Sequence, residues 1–277
     1  MNDIELKNHY PNLQGGTLLP LVLTRVNDAP DNVFVRPALI VVPGGAYIMN
    51  SGREAEPVAA RFLAKGFQTF VLHYHCSSQG AFYPEPLLEL ASAVDYVKKH
   101  ANEYHVNPEE IFVVGFSAGG HLTGNLAMEW SDLARHGFKG DASVKAIGLG
   151  YPVINHRLGH ELSHQKLLGN RNPDEYEKMA AELDLDLHVN EKNPPAFLFG
   201  TAEDHAVPVA NVLSYARALS EKGIPFALHI YPRGEHGIAT GDYETSPQKD
   251  YPVDRKGISD WTSECADFFR SFCVEPF

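Results

Sequence analysis

Hydrophobic and polar positions along this chain switch repeatedly between a two-residue and a three-to-four-residue period. Residues 18–25 read as an early strand, and residues 38–42 form a short β-branched apolar run that ends at Pro43, the pattern of a strand buried on both faces. Residues 54–65 bring Val58, Phe62 and Leu63 to one helical face and stop at Gly66; residues 68–74 are the next strand. Pro86 opens a helix in which Leu87, Leu90, Ala91, Val94 and Val97 recur at steps of three and four. Residues 111–114 form a buried strand that runs straight into Gly115. Strands follow at 144–149, 195–200 and 226–231. A helix over 209–221 turns Val212, Leu213, Ala216 and Leu219 inward, and a closing helix over 258–272 does the same with Trp261, Cys265 and Phe268. This alternation predicts an α/β fold, a mostly parallel central sheet flanked by helices. The exception is 155–193, polar and His-rich, and long for a strand-to-strand connection. Insertions of that kind often serve as lids. There is no internal repeat and no Gly/Ser linker, so one domain over 1–277 with a small lid within it is the expectation.

Composition narrows the partners. The chain has 277 residues, 44% of them apolar, with 15 Phe and 12 Tyr, enough for a sizeable core. Its formal net charge of −12 argues against nucleic acid or an anionic membrane surface as partner. The first ten residues mix Asp3, Glu5 and Lys7 with single apolar residues, unlike a secretory signal, and the apolar runs are far too short to span a bilayer. Cys76, Cys265 and Cys273 lack CxxC spacing and read as reduced thiols. A cytoplasmic protein, monomer or homodimer, is the expectation.

The chemistry concentrates at Gly115-Phe116-Ser117-Ala118-Gly119, a GxSxG between a β-rich run and a helix-forming stretch. So tight a strand-to-helix turn strains the backbone of its central Ser and lifts the hydroxyl above the sheet, and the helix N-terminus behind it favours developing negative charge. A serine hydroxyl needs a base, and the base an orienting carboxylate. Asp204 follows a buried strand and precedes Val207-Pro208, and is the expected acid, with Glu203 its competitor. His236, in Glu235-His236-Gly237 on the loop after the last strand, is the expected base. Pro43-Gly44-Gly45-Ala46-Tyr47 offers exposed amides, so Gly45, Ala46 and Ala118 are the expected oxyanion donors. Tyr47, His73 and His75 are candidates for lining the substrate pocket, with a buried aromatic and rim residues as the plainer alternatives. His121 lies one turn beyond Ser117 and is expected to pack there. His156, His160 and His164 are spaced four apart as a metal site would be, but Gly159 interrupts that helix and a polar lid face accounts for them; no metal is expected. Gly44-Gly45 lacks the Lys-Ser/Thr of a phosphate loop.

With these residues in place the chain resembles the α/β-hydrolase superfamily, specifically the small serine esterases and acetyl esterases related to hormone-sensitive lipase. The likeness runs from about Leu18 to Gly237. It is carried by Val42-Pro43-Gly44-Gly45-Ala46-Tyr47, Tyr83-Pro84-Glu85-Pro86, the GxSxG with Gly120-His121-Leu122 after it, Asp204 before Val207-Pro208, and Glu235-His236-Gly237. The resemblance implies Ser117, Asp204 and His236 as a catalytic triad acting without a cofactor, and Gly45, Ala46 and Ala118 as oxyanion hole. Where the family has His-Gly-Gly-Gly this chain has Pro43-Gly44-Gly45-Ala46, which keeps the backbone amides. The closer likeness is to acetyl-xylan and sugar-ester esterases, implying a small-molecule ester substrate with a short acyl group, acetyl to butyryl. Two other readings stand beside it: a serine peptidase of the prolyl-oligopeptidase type, and a non-catalytic binding protein on the same fold.

Overall fold

In the computed structural model, residues 2–23, 35–246 and 257–274 are described. Eight strands form one sheet: β1 (Ile4–Glu5), β2 (Thr17–Leu21), β3 (Arg36–Val42), β4 (Gln68–His73), β5 (Val106–Phe116), β6 (Ala146–Gly150), β7 (Ala196–Thr201) and β8 (Phe226–Tyr231), in the spatial order β1-β2-β4-β3-β5-β6-β7-β8. The first two strands pair antiparallel, and β2 also runs antiparallel to β4; from β4 to β8 every pairing is parallel. The expected strand over 18–25 is thus Thr17–Leu21, with Thr24 and Arg25 outside the described residues. Strand β5 begins five residues earlier than the apolar run suggested, because Val106 pairs with Arg36 ahead of a register shift.

Among the described residues eight α-helices connect and cover the strands: α1 (Glu56–Leu63), α2 (Glu85–Lys99), α3 (Ala101–Tyr104), α4 (Ser117–Glu129), α5 (Leu162–Leu168), α6 (Pro173–Glu182), α7 (Ala210–Glu221) and α8 (Trp261–Arg270). Successive strand residues point to opposite faces, and the core divides accordingly. Ala38, Ile40, Val42, Ile111 and Val113 meet α2, α4 and α7 on one side. On the other, Leu39, Val41, Phe112, Val114 and Phe116 meet α1 and α8, with the Trp261 ring stacked 4.5 Å from Phe199. Burial on both faces explains why these strands read as unbroken apolar runs.

Two helix faces differ from expectation. On α7, Leu213 is exposed and Tyr215 is buried in its place, since the stripe that meets the sheet runs Val212, Ala216, Leu219, and Leu213 lies 100° around the helix from Val212. On α8 Phe269 is buried beside Trp261 and Cys265, with Phe268 only half-buried. The segment 155–193 holds α5 and α6 and packs onto α4: His121 Nε2–H donates to Leu183 O at 3.0 Å. No helix among the described residues is long and apolar enough to cross a membrane.

Candidate active site

Strand β5 delivers Ser117 at the first position of α4, with φ of +52°. That conformation is costly for a residue with a Cβ, and close packing around the turn enforces it. A Cβ added at Gly119 would lie 2.3 Å from Val42 O and 2.4 Å from Pro43 O. Only glycine therefore lets the first turn of α4 press against the end of β3, and this contact sets the distance between Ser117 and the loop that leaves β3.

The loops after β7 and β8 supply the partners. His236 Nε2 lies 2.8 Å from Ser117 Oγ, and His236 Nδ1 lies 2.7 Å from Asp204 Oδ2. A carboxylate only accepts, so Nδ1 carries the proton and Nε2 is free to accept the Ser117 hydroxyl proton. Asp204 is itself fixed: its Oδ1 accepts the Ala206 and Val207 N–H groups at 3.0 and 2.8 Å. It is buried, as is Ser117. Glu203, the competing carboxylate, is exposed and turns to the histidine loop, where its Oε2 accepts Gly234 N–H. Thr201 Oγ1 donates to Gly234 O from the end of β7 and ties down the same loop.

The loop after β3 folds back over the serine. Gly45, with φ of +129°, Ala46 at +54° and Tyr47 at +57° form a run of positive-φ residues. Gly45 O accepts Ile48 and Met49 N–H, and Gly44 O accepts Ser51 N–H; the Gly45 and Ala46 N–H groups themselves have no protein acceptor among the described residues. The Ala118 N–H, in the first turn of α4, has no acceptor within its own helix. Gly44 N–H is already taken, by the buried carboxylate of Glu54 at 2.8 Å. Hydroxyl, imidazole and carboxylate in series, beside unpaired amides, is an arrangement able to transfer a proton while a negative charge develops on a bound oxygen.

The pocket candidates fall elsewhere. Tyr47 is 1% exposed and its hydroxyl pairs with His121 Nδ1 at 2.8 Å, so it supports the loop from behind and does not line an open pocket. The His75 ring packs against Gly15 and approaches Glu89, and half-buried His73 pairs with Thr17 of β2. His156 and His164 are buried, at 5% and 1% exposure, so a polar lid face does not account for them. The inner face of α5 carries Ser163, His164, Leu167 and Leu168, and His156 Nδ1 pairs with Asp184 at 2.8 Å. Among the described residues no group of three or more His, Cys, Asp or Glu could hold a metal ion.

His160, read from the sequence as part of a polar lid face, stands at the site itself. Its ring stacks on His236 with centroids 6.2 Å apart, and its Nδ1 lies 3.0 Å from Ser163 Oγ. Burial, with His236 as neighbour, holds its pKa below the ordinary histidine value. The only signal was its place in the His-rich insertion. Beside the loop after β3 opens a groove of about 640 Å3 bounded by Ile48, Ser77, Phe82, Gln165, Lys166 and Arg171.

Comparison with known proteins agrees with this architecture. The BD-FAE family model matches residues 29–219. Endo-1,4-beta-xylanase B of Butyrivibrio fibrisolvens is 36% identical over 76% of this chain and 33% of its own length. The acetylxylan esterase of Xylanibacter ruminicola is 29% identical over 77% of this chain and 43% of its own. The chain thus spans less than half the length of these curated relatives. Among solved structures, the acetyl ester-xyloside bifunctional hydrolase of Caldicellulosiruptor lactoaceticus superposes with a TM-score of 0.80 at 31% identity, covering 98% of this chain and 96% of the other. The carboxylesterase Cest-2923 of Lactobacillus plantarum gives 0.81 at 25% identity, with the same coverage. By the family model and these relatives, the chain has an α/β-hydrolase fold and belongs to the BD-FAE family.

Proposed function

We propose that this protein is a serine-dependent carboxylic ester hydrolase acting on short acyl esters, acetyl to butyryl, of small alcohols or sugars. The observation that carries the proposal is the series of short hydrogen bonds, 2.8 and 2.7 Å, that joins Ser117 at the start of α4 to His236 and Asp204 on the loops after β8 and β7. In this reading Ser117 Oγ attacks the ester carbonyl carbon while His236 Nε2 takes the hydroxyl proton. The carbonyl oxygen, now negative, accepts hydrogen bonds from the N–H groups of Gly45, Ala46 and Ala118. Collapse expels the alcohol, which takes the proton from His236, and leaves an acyl-serine. Water, deprotonated by His236, then releases the carboxylic acid and restores Ser117. No metal or organic cofactor enters the cycle.

The polar groove beside Ile48 and Phe82 suits a hydroxylated alcohol better than a long acyl chain. The esterase names of several relatives support the same substrate class. Segment 155–193 acts as a lid in this reading, since it brings His160 over His236. The test is hydrolysis of p-nitrophenyl esters from acetyl to decanoyl by wild type and Ser117→Ala. Activity that peaks at short chains and drops roughly 10⁴-fold or more in the variant is expected. Turnover retained in Ser117→Ala refutes the nucleophile, and a preference for octanoyl or longer esters refutes the substrate class.

A further inference from the structure

Beneath the candidate active site lies a buried carboxylate that the proposed reaction does not use. Glu54, in the 3₁₀ turn Gly52–Glu54 that precedes α1, is 3% exposed. Its Oε2 accepts the N–H of Gly44 at 2.8 Å, and its Oε1 accepts the hydroxyl of Tyr151 at 2.8 Å. The Tyr151 oxygen in turn accepts the N–H of Ala239, three residues past His236, at 3.0 Å. Gly44, Glu54, Tyr151 and Ala239 therefore form one unbroken hydrogen-bonded chain from the oxyanion loop to the histidine loop. Next to it, Arg53 Nη1 donates to Gly237 O at 2.8 Å and to Thr245 O at 3.3 Å, so the same short turn grips both sides of the site.

The chemistry of the chain demands an acceptor at position 54. Gly44 N–H and Tyr151 O–H both point at Glu54 as donors, and an ionised carboxylate accepts from both at once. Tyr151 must then donate to Glu54 and keep a lone pair for Ala239. Burial and the neighbouring Glu54 carboxylate hold the phenol far above its ordinary pKa, so the hydroxyl keeps its proton throughout. The Tyr151 ring also touches the site directly, edge-on to His236 with centroids 5.1 Å apart. Gly44 lies immediately above the serine, since a Cβ on it would stand 2.8 Å from Ser117 Cβ. Its N–H, turned down to Glu54, fixes the peptide plane from which the next amides of the loop take their direction. Other bonds hold the ends of this loop, Tyr74 O–H on Pro43 O and Tyr47 O–H on His121 Nδ1; Glu54 is the group that takes the amide immediately before Gly45 and Ala46.

We propose that Glu54 and Tyr151 are positioning residues that lock the oxyanion loop and the histidine loop in register, so that the Gly45 and Ala46 amides and His236 act on the same atom. This rests on the ester hydrolysis proposed above. The pair touches no substrate; it acts through Gly44 and Ala239.

The experiment compares wild type, Glu54→Gln, Tyr151→Phe and the double variant on p-nitrophenyl acetate, with Ser117→Ala as blank. Glu54→Gln keeps shape and one acceptor but places an amide NH2 where the second acceptor is needed. Tyr151→Phe removes the bridge to both partners. Each single variant should lose about 10²-fold in kcat, the scale of a misdirected oxyanion donor, while KM stays within about threefold. The double variant should fall no further than the weaker single one, because both break the same chain. Affinity for a short alkylboronic acid, which places an oxygen in the oxyanion hole as its adduct forms, should fall in parallel with kcat. A purely structural role would lower the unfolding temperature and leave kcat, the KM-to-kcat pattern and the boronate affinity of the folded fraction as in wild type; that outcome overturns the proposal. So does a loss carried by KM alone, or multiplicative losses in the double variant. Should Glu54→Gln fail to fold, Tyr151→Phe alone decides by the same measures. A wild type that hydrolyses no ester refutes the reaction itself and this role with it, whereas an active wild type beside undiminished variants refutes the positioning role only.

Discussion

Glu89 offers a quantitative test of the packing around the oxyanion loop. It projects from α2 into the space between Gly16 and His75; Oε2 accepts His75 N–H at 2.6 Å, and Oε1 is buried without a hydrogen-bond partner. Burial raises its pKa to about 8 from the usual 4.5; the His75 N–H offsets this only in part, and the Glu85 carboxyl beside it raises it further. The sign follows from proton binding. Between pH 4.5 and 8 the unfolded chain has released this proton and the folded chain has not, so the native state binds more protons and loses stability as pH rises. The stability is complete below pH 4.5 and lost through pH 8. At about 1.36 kcal/mol per pH unit of difference in pKa, the loss reaches roughly 5 kcal/mol.

Glu89→Gln removes the titration and keeps the volume. An amide oxygen still accepts His75 N–H, and the amide nitrogen takes the place of the protonated oxygen. Wild type and variant should have similar stability at pH 4.5, and the variant should lead by several kcal/mol at pH 8.5. The assay is urea unfolding at pH steps from 4.5 to 9, read by the fluorescence of the two tryptophans, of which Trp261 lies buried against Phe199. Parallel pH profiles for the two proteins, or a variant less stable than wild type at pH 8.5, would refute the reasoning. Hydrolysis of p-nitrophenyl acetate at pH 7, the activity proposed above, should be unchanged, because neither Glu89 nor His75 hydrogen-bonds to Ser117.

Three further outcomes are expected. Asp204→Asn keeps an oxygen for the Ala206 and Val207 amides and so should fold normally, but it disfavours the required His236 tautomer and should lower kcat by about 10⁴ in steady-state kinetics. Gly119→Ala forces a methyl to within 2.4 Å of two backbone oxygens of β3 and the loop after it; thermal melts should show a loss of about 1–3 kcal/mol or more, and kcat/KM should fall by at least about 10² as the oxyanion loop is pushed from the serine. Burial lowers the pKa of His121 to about 4 from 6.5. The folded state therefore binds fewer protons than the unfolded chain in that window, and stability should fall by about 3 kcal/mol as pH drops from 6.5 to 4; His121→Asn, though weaker at pH 7, should flatten this acid limb in the same urea titration.

What could be read from the sequence follows from how each contact is specified. Ser117 and His236 are 119 residues apart, yet both are legible, because parallel strands bring their carboxyl ends to one edge of the sheet and a residue just past such an end is placed by the topology alone. Asp204 and the amides of the Gly44-Gly45 loop benefit from the same rule. No comparable rule assigns Glu54 to Tyr151, 97 residues on, or Tyr47 to His121, 74 residues on. Those pairs are set by how side chains interdigitate between a loop and a helix, and nothing in the local pattern of either segment marks them. The histidines of 155–193 show the same limit from the other side. Their polarity suggested a solvated face, but His164 packs 4.7 Å from the His121 ring, and His156 is paired with Asp184 in the interior. A polar residue can be buried wherever another polar residue meets it. Its type therefore predicts exposure only when its partner is known, and the partner here arrives from another part of the chain. Ser117, Asp204 and His236 stand at strand ends and their meeting is legible; the shell that holds them to each other is made of these cross-chain pairs and is not. That shell is where substitutions with large effects on turnover and little warning in the sequence should be found.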